Sequence, residues 1–322
     1  MKPKVWTEVP LHPDALARLR AVAQVVEGGK RAELPGAEMA VIGGSAVDAA
    51  FMDEAGPSLK LIVRHGVGYN AVDVPAATER GILAAYTPEG PTECTAEHAV
   101  GLMFAVAKCI VKADRYLRNN TPYTRADLRG TELFGQTLGV VGYGRIGRRV
   151  TEMCAQGIRM DVLIYDPFLP QTSELPSNVR RVDTLEEILT QANFITLHTP
   201  LFPETHHLMG EAQLRMMKPD AILVNASRGP IIDEAALIRV LQDGHLAGVG
   251  LDVFEIEPPD PQNPLLHMEN VVVTPHSASN TVQGSYRMST GVVDQIIEVA
   301  GGQRPTFLID DAAWPGRVQS AT

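Results

Sequence analysis

At 322 residues, with 45% apolar and 20% charged positions, the chain has room for about two domains and enough material for a well-buried core. Its formal net charge of −10 is offset by no basic cluster, which argues against nucleic acid or an anionic membrane as partner, so an anionic small molecule would need a local cationic site. Cys94, Cys109 and Cys154 lack paired spacing and the nine histidines are scattered apart from adjacent His206 and His207, so neither a disulfide framework nor a metal site is expected.

The first hundred residues alternate between short apolar runs and helical patterns. Strands are expected near Val5, over 39–42, 61–63 and 82–85, with helices between, as in a small α/β domain. A helical pattern then runs from Ala96 to Asn119, interrupted only by Gly101, and could bridge to a second domain. The longest apolar stretch, Ala99 to Ala107, has nine residues and ends at Lys108, far short of a membrane span. The opening Met-Lys-Pro-Lys lacks the apolar core of a signal peptide, and cytoplasmic residence is expected by elimination.

Next comes the densest signal in the chain. Leu138 to Val141 reads as a buried strand, followed by Gly-Tyr-Gly-Arg-Ile-Gly at 142–147 and a helix whose Ile146, Val150, Met153 and Cys154 share one face. Gly142 allows a tight turn, Gly144 lets backbone approach a pyrophosphate, and Gly147 lets the helix pack on the sheet. The helix start offers the phosphates free N–H groups and the positive end of its dipole. Residues 161–165 form the next strand, and Asp166 ends it 19 residues beyond Gly147, where a carboxylate accepts hydrogen bonds from an adenosine ribose. That carboxylate would repel a 2′-phosphate and no Arg or Lys follows in Pro167 and Phe168, so NAD is favoured over NADP. Three glycines alone mark little more than turns; strand, turn, helix, strand and Asp in order mark a dinucleotide site.

The alternation continues. Thr184 and Glu187 form a capping box, and strands are expected at 194–198, 221–225, 248–253 and 271–274, with an Asp233-capped helix stopping at Gly244. A last helix spans about 283–300 before Gly301, Gly302 and Pro305. If the tail returns to the first domain, that domain is discontinuous. The expected fold class is α/β, two doubly wound parallel-sheet domains. A Rossmann NAD-binding domain at 99–280 is inserted in a smaller flavodoxin-like substrate domain at 1–98 and 281–322.

Ligands in open α/β sheets collect beyond the carboxyl ends of strands. Three polar segments stand there: Asn-Ala-Ser-Arg-Gly at 225–229, Asp-Val-Phe-Glu-Ile-Glu-Pro at 252–258 and Thr-Pro-His-Ser-Ala at 274–278. They supply a guanidinium that can hold a carboxylate or polarise a carbonyl, an imidazole that can exchange a proton, and carboxylates that can orient it. Spacing alone leaves bland readings open. Arg228 could form a surface ion pair, His276 could be an ordinary loop histidine, and either Glu255 or Glu257 could be a solvated carboxylate.

In this order, these segments and the glycine fingerprint resemble the D-isomer-specific 2-hydroxyacid dehydrogenases over nearly the whole chain. Arg-His-Gly-Val-Gly-Tyr-Asn-Ala-Val-Asp at 64–73 is similar to the family's substrate loop, and residues 95–98 to its interdomain helix entry. The resemblance implies hydride transfer between nicotinamide and C2 of a small 2-oxo or 2-hydroxy acid. It implies that Arg228 binds substrate, that His276 is the acid/base and that Glu257 is its partner. It implies cofactor contacts from Gly142, Gly144, Arg145, Ile146, Gly147, Asp166, Thr199, Pro200, Ala226, Ser227, Asp252 and Ala278. Gly66, Val67 and Gly68 would give backbone N–H groups to the substrate carboxylate, and the assembly would be a homodimer through the nucleotide domains. His65 and Thr95 depart from the family's usual residues, His65 as a substrate contact or a packed strand-end histidine. The alternative is an NAD(H)-sensing protein like the related corepressors, with little turnover. Related formate dehydrogenases carry Gln where this chain has Glu257.

Overall fold

The computed structural model describes residues 2–170 and 174–314. The chain divides into two compact units, Met1–Pro91 with Asn280–Thr322, and Thr92–Ser279. The first border therefore falls at Thr92, ahead of the position 99 expected from sequence, because the helix that starts there packs on the sheet of the second unit. Residues 315–322 of the expected 281–322 stretch lie outside the described residues.

The first unit runs β1 (Lys4–Thr7), α1 (Pro13–Val22), β2 (Gln24–Val26), β3 (Met39–Ile42), α2 (Ala49–Ala55), β4 (Leu61–Arg64), α3 (Val74–Glu79) and β5 (Leu83–Tyr86). Its five strands are all parallel in the order β2-β1-β3-β4-β5, the flavodoxin-like arrangement. Helices cover both faces, so the strands are apolar on both sides: Val5, Val41, Leu61 and Val63 feed one cluster, while Trp6, Ala40, Ile42 and Ile62 feed the other. Asp48 and Asp73 start their helices by accepting the backbone N–H three residues on.

The second unit continues with α4 (Thr92–Ala107), α5 (Ile110–Arg118), β6 (Thr137–Val141), α6 (Arg145–Glu152), β7 (Asp161–Tyr165), β8 (Val179–Arg181), α7 (Leu185–Gln191) and β9 (Phe194–Leu197). It closes with α8 (Glu211–Met216), β10 (Ile222–Asn225), α9 (Glu234–Gln242), β11 (Gly248–Leu251) and β12 (Val271–Val273). The seven strands are parallel in the order β12-β11-β10-β9-β6-β7-β8, so the direction of winding reverses between β6 and β9. That reversal opens a crevice beyond the carboxyl ends of these two strands.

The single helix expected from Ala96 to Asn119 is two helices bent by 61°. Cys109, at φ +53°, breaks it. Helix α4 packs on the second unit's own sheet: Gly248 and Gly250 of β11 have no side chain where Val106 and Leu102 come in, and an added Cβ on Gly248 would lie 2.6 Å from Val106 Cγ1. No single helix among the described residues is long and apolar enough to cross a membrane. Finally α10 (Val282–Ala300) returns to the first unit, where Val292, Val293 and Ile296 join the cluster containing Val5 and Leu61.

Candidate active site

The three glycines of the fingerprint have different physical causes. Gly142 sits at φ +92°, and a Cβ there would lie 2.8 Å from the carbonyl of His198 at the end of β9. A Cβ on Gly147 would lie 2.1 Å from the Gly142 oxygen, so only glycine lets α6 start this close to the turn. Gly144 is unlike both: its φ is −71°, and an added Cβ meets no protein atom within 4 Å. Nothing in the protein demands glycine at 144, whereas a pyrophosphate laid on the start of α6 does. The hydroxyl of Thr199, just beyond β9 on the other side of the crevice, is buried without a protein partner. A bare turn and an unsatisfied buried hydroxyl at the switch point fit a dinucleotide.

Asp166 ends β7 and braces this turn. Its Oδ2 accepts the Tyr143 N–H at 2.7 Å, and its Oδ1 accepts the Phe168 N–H at 2.9 Å. Arg148 donates through Nε to the Tyr143 carbonyl at 3.0 Å and stacks its guanidinium on the ring. His198 beside Gly142 is bonded to Thr196 Oγ1 at 2.9 Å, and burial pushes its pKa down to about 4, so the ring is neutral there.

Beyond β10, the fully buried Asn225 shapes the Arg228 loop. Its Oδ1 accepts from Ser227 N–H at 3.0 Å and Ser227 Oγ at 2.7 Å, and its Nδ2 donates to the Arg228 carbonyl at 2.9 Å. Arg228 is partly enclosed. Burial lowers its pKa from the ordinary guanidinium value and the Glu257 charge works the other way, so it stays a cation.

Beyond β11 and β12, His276 Nδ1 lies 2.7 Å from Glu257 Oε2, and Glu257 Oε1 accepts the Phe254 N–H at 3.1 Å. Burial raises the Glu257 pKa, but those two hydrogen bonds and the charges of His276 and Arg228 outweigh it, so the carboxyl ionises below its ordinary value. An ionised partner accepts, which makes Nδ1 the protonated nitrogen and leaves Nε2 to exchange a proton. His276 itself has φ +51°, held by its N–H to the Asp252 carbonyl at 2.7 Å. Of the two carboxylates left open by spacing, Glu257 meets His276, while Glu255 bonds His207 Nε2 at 2.6 Å.

Two of the expected contacts also hold bonds within the protein. Asp252 is 0% exposed and its oxygens accept from Thr274 Oγ1 at 2.5 Å, Ser277 N–H at 2.8 Å and Ala278 N–H at 2.9 Å. It holds the loop carrying His276 and Ala278 in shape. Burial raises its pKa, but the bonds from His98, Thr274, Ser277 and Ala278 prevail and lower it. In the first unit the Gly66 N–H is already spent on Thr87 Oγ1 at 2.8 Å and the Arg64 carbonyl at 3.0 Å. The Val67 and Gly68 N–H groups donate to no protein acceptor among the described residues. The loop is pinned by Arg64 Nε on the Gly68 carbonyl at 2.9 Å. His65 is packed, 3.2 Å from Ser289 Oγ, and burial together with the Arg64 charge pushes its pKa down to about 4.

Sequence reasoning passed over Asn225, Thr274 and His98, whose Nε2 lies 2.8 Å from Thr274 Oγ1. Asn225 was detectable as an Asn-x-Ser turn closing a strand; His98 and Thr274 are joined only by the fold.

Residues 100–278 match the family described as D-isomer specific 2-hydroxyacid dehydrogenase, NAD binding domain. The chain belongs to the D-isomer specific 2-hydroxyacid dehydrogenases. It is 43% identical over 260 residues to a glyoxylate reductase of Korarchaeum cryptofilum, covering 80% of this chain and 78% of that protein. It is 39% identical over 306 residues to a D-3-phosphoglycerate dehydrogenase of Methanocaldococcus jannaschii, covering 93% of this chain but 58% of that longer protein. In three dimensions it is similar to the D-lactate dehydrogenase of Aquifex aeolicus solved with NAD and lactic acid. The TM-score is 0.81 at 28% identity, covering 93% of this chain and 96% of that one. Like other members of its family, this dehydrogenase is an oxidoreductase acting on CH–OH groups with NAD as cofactor.

Proposed function

We propose that this dehydrogenase interconverts a small 2-oxo acid and the D-2-hydroxy acid, with His276 as acid/base, Glu257 as its orienting carboxylate and Arg228 as the substrate-binding cation. The observation that carries the reading is the 2.7 Å His276–Glu257 pair on loops beside that of Arg228. The bound nicotinamide supplies or takes the hydride. In reduction, His276 Nε2 gives its proton to the nascent alkoxide; Glu257 stabilises the imidazolium beforehand and keeps the ring oriented. Arg228 pairs with the substrate carboxylate and polarises the carbonyl through its planar fork. Val67 and Gly68 are the proposed backbone donors to a substrate carboxylate, with Gly66 turning the loop. Gly142, Gly144, Arg145, Ile146 and Gly147 are assigned to the pyrophosphate, Asp166 to the ribose, and Thr199, Pro200, Ala226, Ser227 and Ala278 to the remaining cofactor contacts. A homodimer through the nucleotide unit and a reducing, cytoplasmic setting complete the proposal; Cys94, Cys109 and Cys154 are all free thiols.

The test is a panel of glyoxylate, hydroxypyruvate, phosphohydroxypyruvate and branched 2-oxo acids with NADH and NADPH. His276→Ala is expected to lower kcat by about 100-fold or more while NADH still binds. Arg228→Ala is expected to act on oxo-acid use rather than on NADH affinity. Wild-type turnover in His276→Ala sinks the acid/base assignment, and no NADH oxidation across the panel favours the sensing alternative.

A further inference from the structure

Arg228 and Glu257 stand on different loops, so the chemistry proposed for them needs those loops in fixed register. Gly229 packs directly on the second loop, where a Cβ would lie 1.8 Å from the Phe254 oxygen and 2.6 Å from the Glu255 nitrogen. At the start of α9, Glu234 and Glu255 exchange bonds: the Glu255 N–H donates to Glu234 Oε2 at 3.1 Å, and the Glu234 N–H to Glu255 Oε1 at 3.3 Å. Asn263 Nδ2 holds Glu234 Oε1 at 2.7 Å.

A third segment touches both loops. The His207 N–H donates to the Pro230 carbonyl at 2.8 Å, two residues past Arg228, while its Nε2 meets Glu255 Oε1 at 2.6 Å, two residues before Glu257. The segment is zipped further by Met209 N–H to the Ile231 carbonyl at 3.0 Å and Asp233 N–H to the Met209 carbonyl at 3.1 Å. His207 adopts φ +52°, a left-handed conformation that few residues other than glycine take up.

We propose that His207 is a positioning residue that locks the Arg228 loop to the Glu257 loop, its backbone on one and its imidazole on the other, with Glu255 as the acceptor. The proposal rests on the roles given to Arg228 and Glu257 above. The pair is partly exposed and adds little to global stability. Its leverage is geometric, since a misplacement of about 1 Å in a reacting group costs up to about 100-fold in rate.

His207→Gly removes the ring but keeps the backbone conformation accessible. We expect kcat for oxo-acid reduction to fall about tenfold, with the NADH dissociation constant from fluorescence titration and the urea midpoint unchanged. Glu255→Ala should fall equally, Glu255→Gln should recover most of the turnover because it keeps the acceptor oxygen, and the double variant His207→Gly/Glu255→Ala should be no worse than either single one. Wild-type kcat in His207→Gly, or losses that multiply in the double variant, overturn the proposal. A parallel His276→Ala variant separates the two readings. If it is inactive while His207→Gly is unimpaired, only the coupling fails; if it keeps full turnover, the assignment beneath the coupling fails too.

Discussion

Gly144 and Gly147 are three residues apart and glycine for opposite reasons. At 144 a methyl group meets no protein atom within 4 Å, whereas at 147 it meets the Gly142 oxygen at 2.1 Å. Gly144→Ala is therefore expected to leave the urea midpoint unchanged and to weaken NADH binding at least about tenfold, or about 1.4 kcal/mol. Gly147→Ala should lose about 1–3 kcal/mol of stability as the helix start is forced away from the turn. A Gly144→Ala protein that binds NADH as tightly as the wild type refutes the pyrophosphate assignment. The residue types at such positions were legible because fingerprint, strand and Asp166 occur in order. What their hydrogen bonds do was not. Asp252 and Gly66 belong to motifs that point to ligands, and they also bond within the protein, Asp252 to Thr274, Ser277 and Ala278, Gly66 to Thr87. Such pairing crosses more than twenty residues and leaves no local mark.

Elements were legible where apolar runs had both faces to fill. The strands at 39–42, 161–165 and 222–225 stand close to where alternation and caps put them, and the Thr184–Glu187 capping box is present. The edge strands β2 and β8 were missed, each being three residues long, with Gln24 in one and Arg180 and Arg181 in the other. The break between α4 and α5 was missed because a left-handed cysteine has no compositional signal. In β11 the glycines are spacing devices: Gly248→Ala would bring a Cβ to 2.6 Å from the Asn270 oxygen and Val106 Cγ1. Its urea stability should drop by about 1–3 kcal/mol. Gly157→Ala, with nothing within 4 Å, should stay within about 1 kcal/mol of wild type. Equal midpoints for the two variants contradict close packing of α4 on β11.

For the whole molecule, one apolar stretch of the second unit stands out. Ile110, Leu117, Tyr123 and Phe134 are 54%, 63%, 47% and 62% exposed within one 25-residue span, an apolar burden that a second copy would relieve. Sedimentation equilibrium is expected to give about twice the 34.8 kDa chain mass, and Leu117→Asp with Phe134→Asp to shift it toward the monomer; a wild-type monomer at micromolar concentration rules the dimer out. The return of α10 to the first unit has a consequence in time. The second unit is continuous and can fold as soon as it leaves the ribosome. The sheet of the first unit lacks Val292, Val293 and Ile296 on one face until α10 has been made. At ordinary synthesis rates the interval between residues 91 and 282 lasts on the order of 10–40 s. During that time the nascent amino-terminal segment waits with one face of its core incomplete, while the dinucleotide unit is still being made.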